Sequence, residues 1–346
     1  MNLFIVESPF QLLSAIEASH TFPSDSNLLI IKYLPEQKNS SINNSQFDLL
    51  IKLKSWDKII KIKHKRSYFL SDLKLFFCIK KIPKVNLIFI GELRSWYMRQ
   101  YLNILDNNGC YLLDDGTASI LMQETIISDQ SYYRLKSIKF NVKILINYII
   151  SFLYFFKFYR INTHINLFTC FDMKECFPDQ KILKNNFEYC KSISNERETL
   201  SNIVYFFGGV EDSEGILNEN DLFNELLKVN KYFISKGITL SYVSHRREAK
   251  EKLNKIESVL GCKILSFKYP AEVEFILMNE SPEYISSFCS TALYTVSSIF
   301  EYRNKSISFL LPLDKMSSLN KSELGSIYRK YKDCMTLIDL EINSHD

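Results

Sequence analysis

The chain has 346 residues, 46% of them apolar, and a net charge of +4. That length corresponds to about two domains, each able to bury its own core. The composition excludes a disordered chain, and no nucleic-acid partner is expected from so small a charge. Positive charge is unevenly placed, with Lys52, Lys54, Lys58, Lys61, Lys63, Lys65 and Arg66 in one stretch and a second basic run after Arg134. Such clusters read either as a solvated face or as a surface for an anionic membrane or polymer. The eight cysteines, at 78, 110, 170, 176, 190, 262, 289 and 334, form no CxxC pair and lack the Cys/His spacing of a zinc site. Several stand in apolar runs, as Cys262 does in GCKILSF, so buried thiols in a reduced, cytoplasmic protein are expected. The opening MNLFIVESPF has no basic n-region and no signal-peptide core, so export is not expected.

Residues 3–6 read as a buried strand, followed by a helix over 10–20 with Ser8 as N-cap and Pro9 at its start. Apolar runs at 28–31, 85–90 and 111–113 predict further buried strands, with a helical pattern at 96–105 between two of them. Residues 142–159, VKILINYIISFLYFFKFY, are apolar and aromatic, but Lys143, Asn147, Ser151 and Lys157 interrupt them. A membrane span needs about 20 mostly apolar residues. With Arg134, Lys136, Lys139 and Arg160 around it, this segment reads as an interfacial helix in peripheral contact with a membrane, or as a buried helix between domains. The polar stretch 192–201 is the expected linker, which gives domains of 1–195 and 196–346. Beyond it the pattern restarts, with strands at 203–207, 239–243, 263–266, 284–287 and 306–310 and helices at 221–235, 248–260 and 271–278. Strands alternating with helices predict an α/β fold of two Rossmann-like domains with parallel sheets, facing a central cleft as the ligand site.

Four segments stand where open α/β sheets place chemistry, directly after a strand. In LLDDGT, Asp114 and Asp115 precede Gly116; repulsion between adjacent carboxylates raises one pKa and favours a base near neutrality. The same letters also describe a plain Asp-Gly turn. In YVSHRRE, His245, Arg246 and Arg247 suit an anionic phosphate, with an imidazolium and guanidinium donors ahead of a helix N-terminus. The alternative is surface pairing of both arginines with Glu248 and other acids. In FGGVED, Gly208 and Gly209 let the backbone approach a ligand, and Glu211 or Asp212 faces it, although no GxGxxG fingerprint is present. In SFCSTA, Ser290 and Thr291 precede a helix and read as a phosphate cradle or as a simple N-cap.

Taken in order, ESPFQLLSAIEA, DDGT, the Gly-Gly-x-Glu-Asp turn, the His-Arg stretch, PAEVEFIL and FCSTA resemble the bacterial sialyltransferases of glycosyltransferase family 52 and the capsular polysialyltransferases. The resemblance covers residues 2–313. It implies a GT-B fold and an inverting, metal-independent transferase that moves a nonulosonic acid from its CMP donor to a capsule or lipooligosaccharide acceptor. Sialic, pseudaminic and legionaminic acids belong to that donor class, and no cofactor or metal is implied. The implied catalytic residues are Asp115 as base, Asp212 as the second candidate, Asp114 as an orienting or turn-capping acid, and His245 at the departing phosphate. Gly208, Gly209, Glu274 as the ribose acid, Ser290, Thr291 and Arg246 are implied on the donor side, and Glu7 and Gln11 on the acceptor side. Arg246 stands where the family usually has Pro, which removes a rigid turn and adds a charge. The implied location is cytoplasmic, at the inner face of the inner membrane. A Kdo transferase, a UDP-sugar epimerase on the same fold, and a non-catalytic membrane or polysaccharide binder are the competing readings.

Overall fold

The computed structural model describes residues 1–33, 40–63, 82, 84–93, 95, 98, 101–102, 105–123, 165–212 and 215–341. The segment 142–159, its basic flanks, Lys65 and Arg66, and most of the 96–105 pattern lie outside them. The chain divides into two compact units, Met1–Asn185 and Asn186–Asp346.

The first unit is built on a parallel sheet with strands β1 (Asn2–Val6), β2 (Asn27–Tyr33), β3 (Lys58–Lys63), β4 (Leu87–Ile90), β5 (Gly109–Leu113), β6 (Ile165–Thr169) and β7 (Ile182–Lys184), in the order β3-β2-β1-β4-β5-β6-β7. Helix α1 (Pro9–Thr21) starts where the sequence predicts: the Ser8 hydroxyl accepts the Gln11 N–H, and Pro9 occupies the first turn. Helix α2 (Ser40–Leu50), continued by a 3-10 turn at Ile51–Leu53, and helix α3 (Ala118–Met122) are further described helical elements of this unit. Every residue of β1 is buried, as a central parallel strand with covered faces requires. Alternation sorts its side chains. Phe4 stacks on Phe89 of β4 at 4.5 Å, and Phe89 on Tyr111 of β5 at 5.6 Å, forming an aromatic row over one face. Leu3, Ile5, Ile88, Ile90, Cys110 and Leu112 fill the other.

The basic run was not expected to be a strand, yet Lys58, Lys61 and Lys63 belong to β3 at the sheet edge. Lys61 pairs with Asp48 at 2.7 Å. Lysines along an edge strand discourage pairing with another chain, so these charges follow from the position of the strand.

The second unit repeats the plan. Its sheet, of strands β8 (Glu198–Phe207), β9 (Thr239–Val243), β10 (Lys263–Leu265), β11 (Glu280–Ser287), β12 (Ser306–Phe309) and β13 (Thr336–Ile338), is parallel throughout and ordered β10-β9-β8-β11-β12-β13. Its helices are α4 (Glu188–Ser192), α5 (Glu219–Ser235), α6 (Lys250–Leu260), α7 (Ala271–Leu277), α8 (Thr291–Phe300) and α9 (Ser318–Tyr331). On α5, Leu222, Phe223, Leu226, Val229 and Phe233 form a buried stripe at helical spacing, and Asn218 caps the Asp221 N–H. The expected linker is corrected here. Residues 198–200 pair with β11 at the start of β8, whose largely exposed first half gave the stretch its linker-like composition. Both units are therefore Rossmann-like α/β folds, with the strand order reversing between β1 and β4 in one and between β8 and β11 in the other.

Candidate active site

At the carboxyl edge of the first sheet, loops after β1, β4 and β5 converge on the reversal point. The Ser8 hydroxyl accepts the Gln11 N–H at 3.2 Å and donates to Asp115 Oδ1 at 2.8 Å, which joins the first loop to the third. Asp115 is half-buried, and its backbone N–H donates to the Ser119 hydroxyl at 2.9 Å. Asp114 has a different place. Its side chain is 2% exposed and accepts the Cys170 N–H at 2.7 Å, tying the end of β5 to the end of β6. Burial pushes its carboxyl up to about 6, against hydrogen bonds from Cys170, Thr169 and Ser119. Desolvation, and not repulsion between neighbours, is thus the first cause of the raised Asp114 carboxyl.

Gln11 takes a supporting part in the same loop. It is 1% exposed, and its Oε1 accepts the Glu7 N–H at 2.8 Å. A Cβ at Gly91 would stand 2.1 Å from Gln11 Oε1, so the loop after β4 needs glycine for this side chain to pass. Glu7 is half-buried and paired with Lys32 at 3.7 Å.

At the carboxyl edge of the second sheet, an ionic network joins the loop after β8 to the loop after β9. Lys252 on α6 contacts Asp212 at 2.8 Å, Glu248 at 3.0 Å and the Gly209 carbonyl at 3.3 Å. Against the pull of burial, Glu248 and Asp212 hold the Lys252 ammonium above its usual range. Glu248 has its side chain 1% exposed and is not the surface partner of Arg246 and Arg247 that the sequence allows. It accepts the Tyr242 hydroxyl at 2.8 Å and the His245 N–H at 2.7 Å. The glycines serve this network. A Cβ at Gly208 would stand 2.4 Å from the Tyr242 hydroxyl oxygen and 2.7 Å from Glu248 Oε2, and one at Gly209 would stand 2.2 Å from Glu211 Oε1. Gly208 N–H donates to the Val243 carbonyl at 2.9 Å. Both glycines make room for the protein's own side chains, a packing reason for glycine beside the expected approach of a ligand.

His245 sits in a turn closed by Glu248 N–H donating to its carbonyl at 2.9 Å, and its Nδ1 accepts the Arg247 N–H at 3.2 Å. The helix after it begins at Lys250, later than the sequence predicts. Burial, reinforced by the charges of Arg246, Arg247 and Lys252, lowers the imidazole to about 3. The expected imidazolium is therefore a neutral ring in the ligand-free protein. Glu272, a buried acid in the first turn of α7, accepts the Thr295 hydroxyl of α8, and burial raises its pKa against that bond and the more distant charge of Arg246. Glu211 is 6% exposed, and burial pushes it up to about 7; the Cys289 thiol lies 3.9 Å from its Oε1.

The loop after β11 leads into α8. Ser290 holds the N-cap position with extended backbone, but its hydroxyl makes no capping bond. The Tyr331 hydroxyl grips the loop instead, 2.8 Å from the Ser290 carbonyl and 3.2 Å from that of Cys289. Thr291 opens the helix. Glu274 Oε1 accepts the N–H groups of Lys268 and Tyr269 at 2.6 and 2.7 Å, which fixes the approach to α7. The loops after β8, β9 and β11 thus bring Asp212, His245, Ser290 and Thr291 to the carboxyl edge of one sheet. Sequence reasoning missed Tyr242, Lys252 and Tyr331. The spacing of Glu248 and Lys252, one helical turn apart, was the available signal.

Among the described residues no group of three or more His, Cys, Asp or Glu side chains is arranged to hold a metal ion, and no helix is long and apolar enough to cross a membrane. No protein-family model matches this chain, and no curated protein matches it. Among solved structures, the UDP-GlcNAc 2-epimerase from Methanocaldococcus jannaschii aligns with 98% of this chain and 89% of its own, at 13% identity and a TM-score of 0.47.

Proposed function

We propose that the protein is an inverting, metal-independent glycosyltransferase that moves a nonulosonic acid from CMP to a surface-glycan acceptor. The observation that carries this reading is the second unit's reversal point. There His245 and the start of a ten-residue helix, whose N-cap hydroxyl is not used for capping, stand at the edge where a nucleotide phosphate is bound in such sheets. Glu274 is assigned to the ribose and Arg246 to the donor side, where its charge also supports Glu272.

In the proposed reaction the anomeric C–O bond to phosphate breaks and its electron pair goes to the phosphate oxygen. The acceptor hydroxyl forms the new C–O bond and gives its proton to Asp115. The carbon is tertiary and the transition state resembles an oxocarbenium ion, so stabilising the departing phosphate outweighs the strength of the base. Asp115 is assigned as the base and Asp212, which the Lys252 ammonium engages, as the second candidate. Asp114 supports the turn that presents Asp115.

Following nucleotide release from CMP-Neu5Ac, CMP-Kdo and UDP-GlcNAc in the presence of sugar acceptors tests the proposal. CMP released from CMP-Neu5Ac, or from the pseudaminic and legionaminic donors, supports it. Turnover of CMP-Kdo alone identifies a Kdo transferase, and conversion of UDP-GlcNAc an epimerase. No turnover of any donor leaves a binding protein. Action on a glycan precursor assigns the protein to the cytoplasmic side of the inner membrane, with residues 142–159 as the proposed contact; co-sedimentation with anionic vesicles tests that part.

A further inference from the structure

We infer that Glu248 is a positioning residue that locks His245 as a neutral imidazole with its proton on Nε2, so that the ring serves the phosphate as a hydrogen-bond donor and keeps its proton. This rests on the transferase reading above.

A backbone N–H can only donate, and Arg247 N–H donates to His245 Nδ1 at 3.2 Å. Nδ1 must therefore carry a lone pair, and the proton of the neutral ring lies on Nε2. Nε2 has no protein hydrogen-bond partner among the described residues. That bond exists because of the shape of residues 245–248, and Glu248 closes the shape twice. Its Oε2 accepts His245 N–H at 2.7 Å, and its own N–H donates to the His245 carbonyl at 2.9 Å. The carboxylate is anchored from behind by Tyr242 of β9 at 2.8 Å and by Lys252 of α6 at 3.0 Å, both on Oε1. Strand and helix thus hold one carboxylate, and the carboxylate holds the turn.

The chemical consequence is specific. CMP leaves as its phosphate dianion, with the electron pair of the broken C–O bond on oxygen and the Nε2–H hydrogen bond directed at it. The single proton released in the reaction comes from the acceptor and goes to Asp115. Proton transfer from the histidine is not required.

The test is 15N–1H correlation of the His245 ring in the full-length protein at pH 7, for the wild type and for Glu248→Gln, together with kcat and KM for CMP-Neu5Ac. The amide side chain of the Glu248→Gln variant cannot accept from His245 N–H, Tyr242 and Lys252 together. The wild type is expected to give the pattern of an Nε2–H tautomer. Glu248→Gln is expected to give a tautomer mixture and a kcat between tenfold and about a hundredfold lower, with KM changed by less than about threefold, because misplacing a catalytic group acts on the transition state. An Nδ1–H or imidazolium pattern in the wild type overturns the inference, and that measurement holds even if the variant does not fold. An unchanged tautomer in a folded Glu248→Gln variant overturns the role of Glu248. CMP release is scored separately, so failure of the transferase reading and failure of the lock are told apart.

Discussion

At the edge of the first sheet, Ser8, Gln11 and Asp114 each hold a loop by accepting a backbone N–H, whereas at the edge of the second a single ammonium, Lys252, joins Asp212, Glu248 and the Gly209 carbonyl. The strand orders of the two sheets correspond, so topology does not explain the contrast. The difference lies in what each edge presents. The first offers a carboxylate, Asp115, steadied by a hydroxyl proton. The second gathers Arg246, Arg247 and Lys252 around a neutral imidazole, a field suited to an anionic phosphate. One fold used twice thus carries two differently charged edges, which the proposed reaction assigns to the acceptor hydroxyl and to the leaving phosphate.

The largest expected effect tests that division directly. His245→Ala is expected to lower kcat about a thousandfold and Asp115→Ala about a hundredfold, since the phosphate donor acts where most charge develops. Steady-state kinetics with a CMP donor measures both, and the reverse order would move the dominant role to the first edge. Next comes stability. Lys252→Met leaves Asp212 and Glu248 without their shared cation and is expected to destabilise the fold by about 3–5 kcal/mol, read by urea unfolding. A loss as small as that expected at the first edge would remove the contrast between the two.

Burial sets the third effect. Glu211 has a folded pKa of about 7 against an ordinary value of 4.5, so the folded chain binds a proton that the unfolded chain has lost between those values. Its contribution to stability is therefore full below about 4.5 and falls as pH rises through about 7, by on the order of 3 kcal/mol. Asp114 acts in the same direction between 3.8 and about 6. His245, lowered from 6.5 to about 3, acts oppositely and costs stability as pH falls through that range. Glu211→Gln is expected to raise the Tm at pH 8, to leave it nearly unchanged at pH 4.5, and to flatten the profile between. Thermal melts across that range decide it. The smallest effect belongs to the first edge: Ser8→Ala removes a helix cap and the hydroxyl on Asp115, and about 1 kcal/mol of stability is expected to go. Ser8→Asp keeps a capping oxygen but faces Asp115 with a like charge, so kcat should fall further than stability does.

The central strands were legible in the sequence because continuous apolar runs such as 3–6 and 239–243 have few other uses at that length. Edges and long strands were harder to read. Lysines alternating in KIIKIK resemble a charged surface run, and the first half of β8 has linker composition because it is exposed. Asp115, His245 and Ser290 stand out in the sequence by their position after strands, and the structure places each beyond the carboxyl end of one. What one sequence could not reveal was which polar residues are interior. Asp114 and Asp115 are neighbours in sequence, yet only tertiary contact with Cys170 makes one of them structural. Likewise, the sequence gives no sign that Tyr242, Glu248 and Glu211 pack against Gly208 and Gly209.

Titration of the full-length protein with CMP, followed through backbone amide shifts, tests the central claim most directly. The account predicts saturable shifts at His245, Ser290, Thr291 and the 268–274 segment, with UMP binding more weakly. Saturable binding of UMP in preference to CMP, or shifts that bypass His245 and the start of α8, would contradict it.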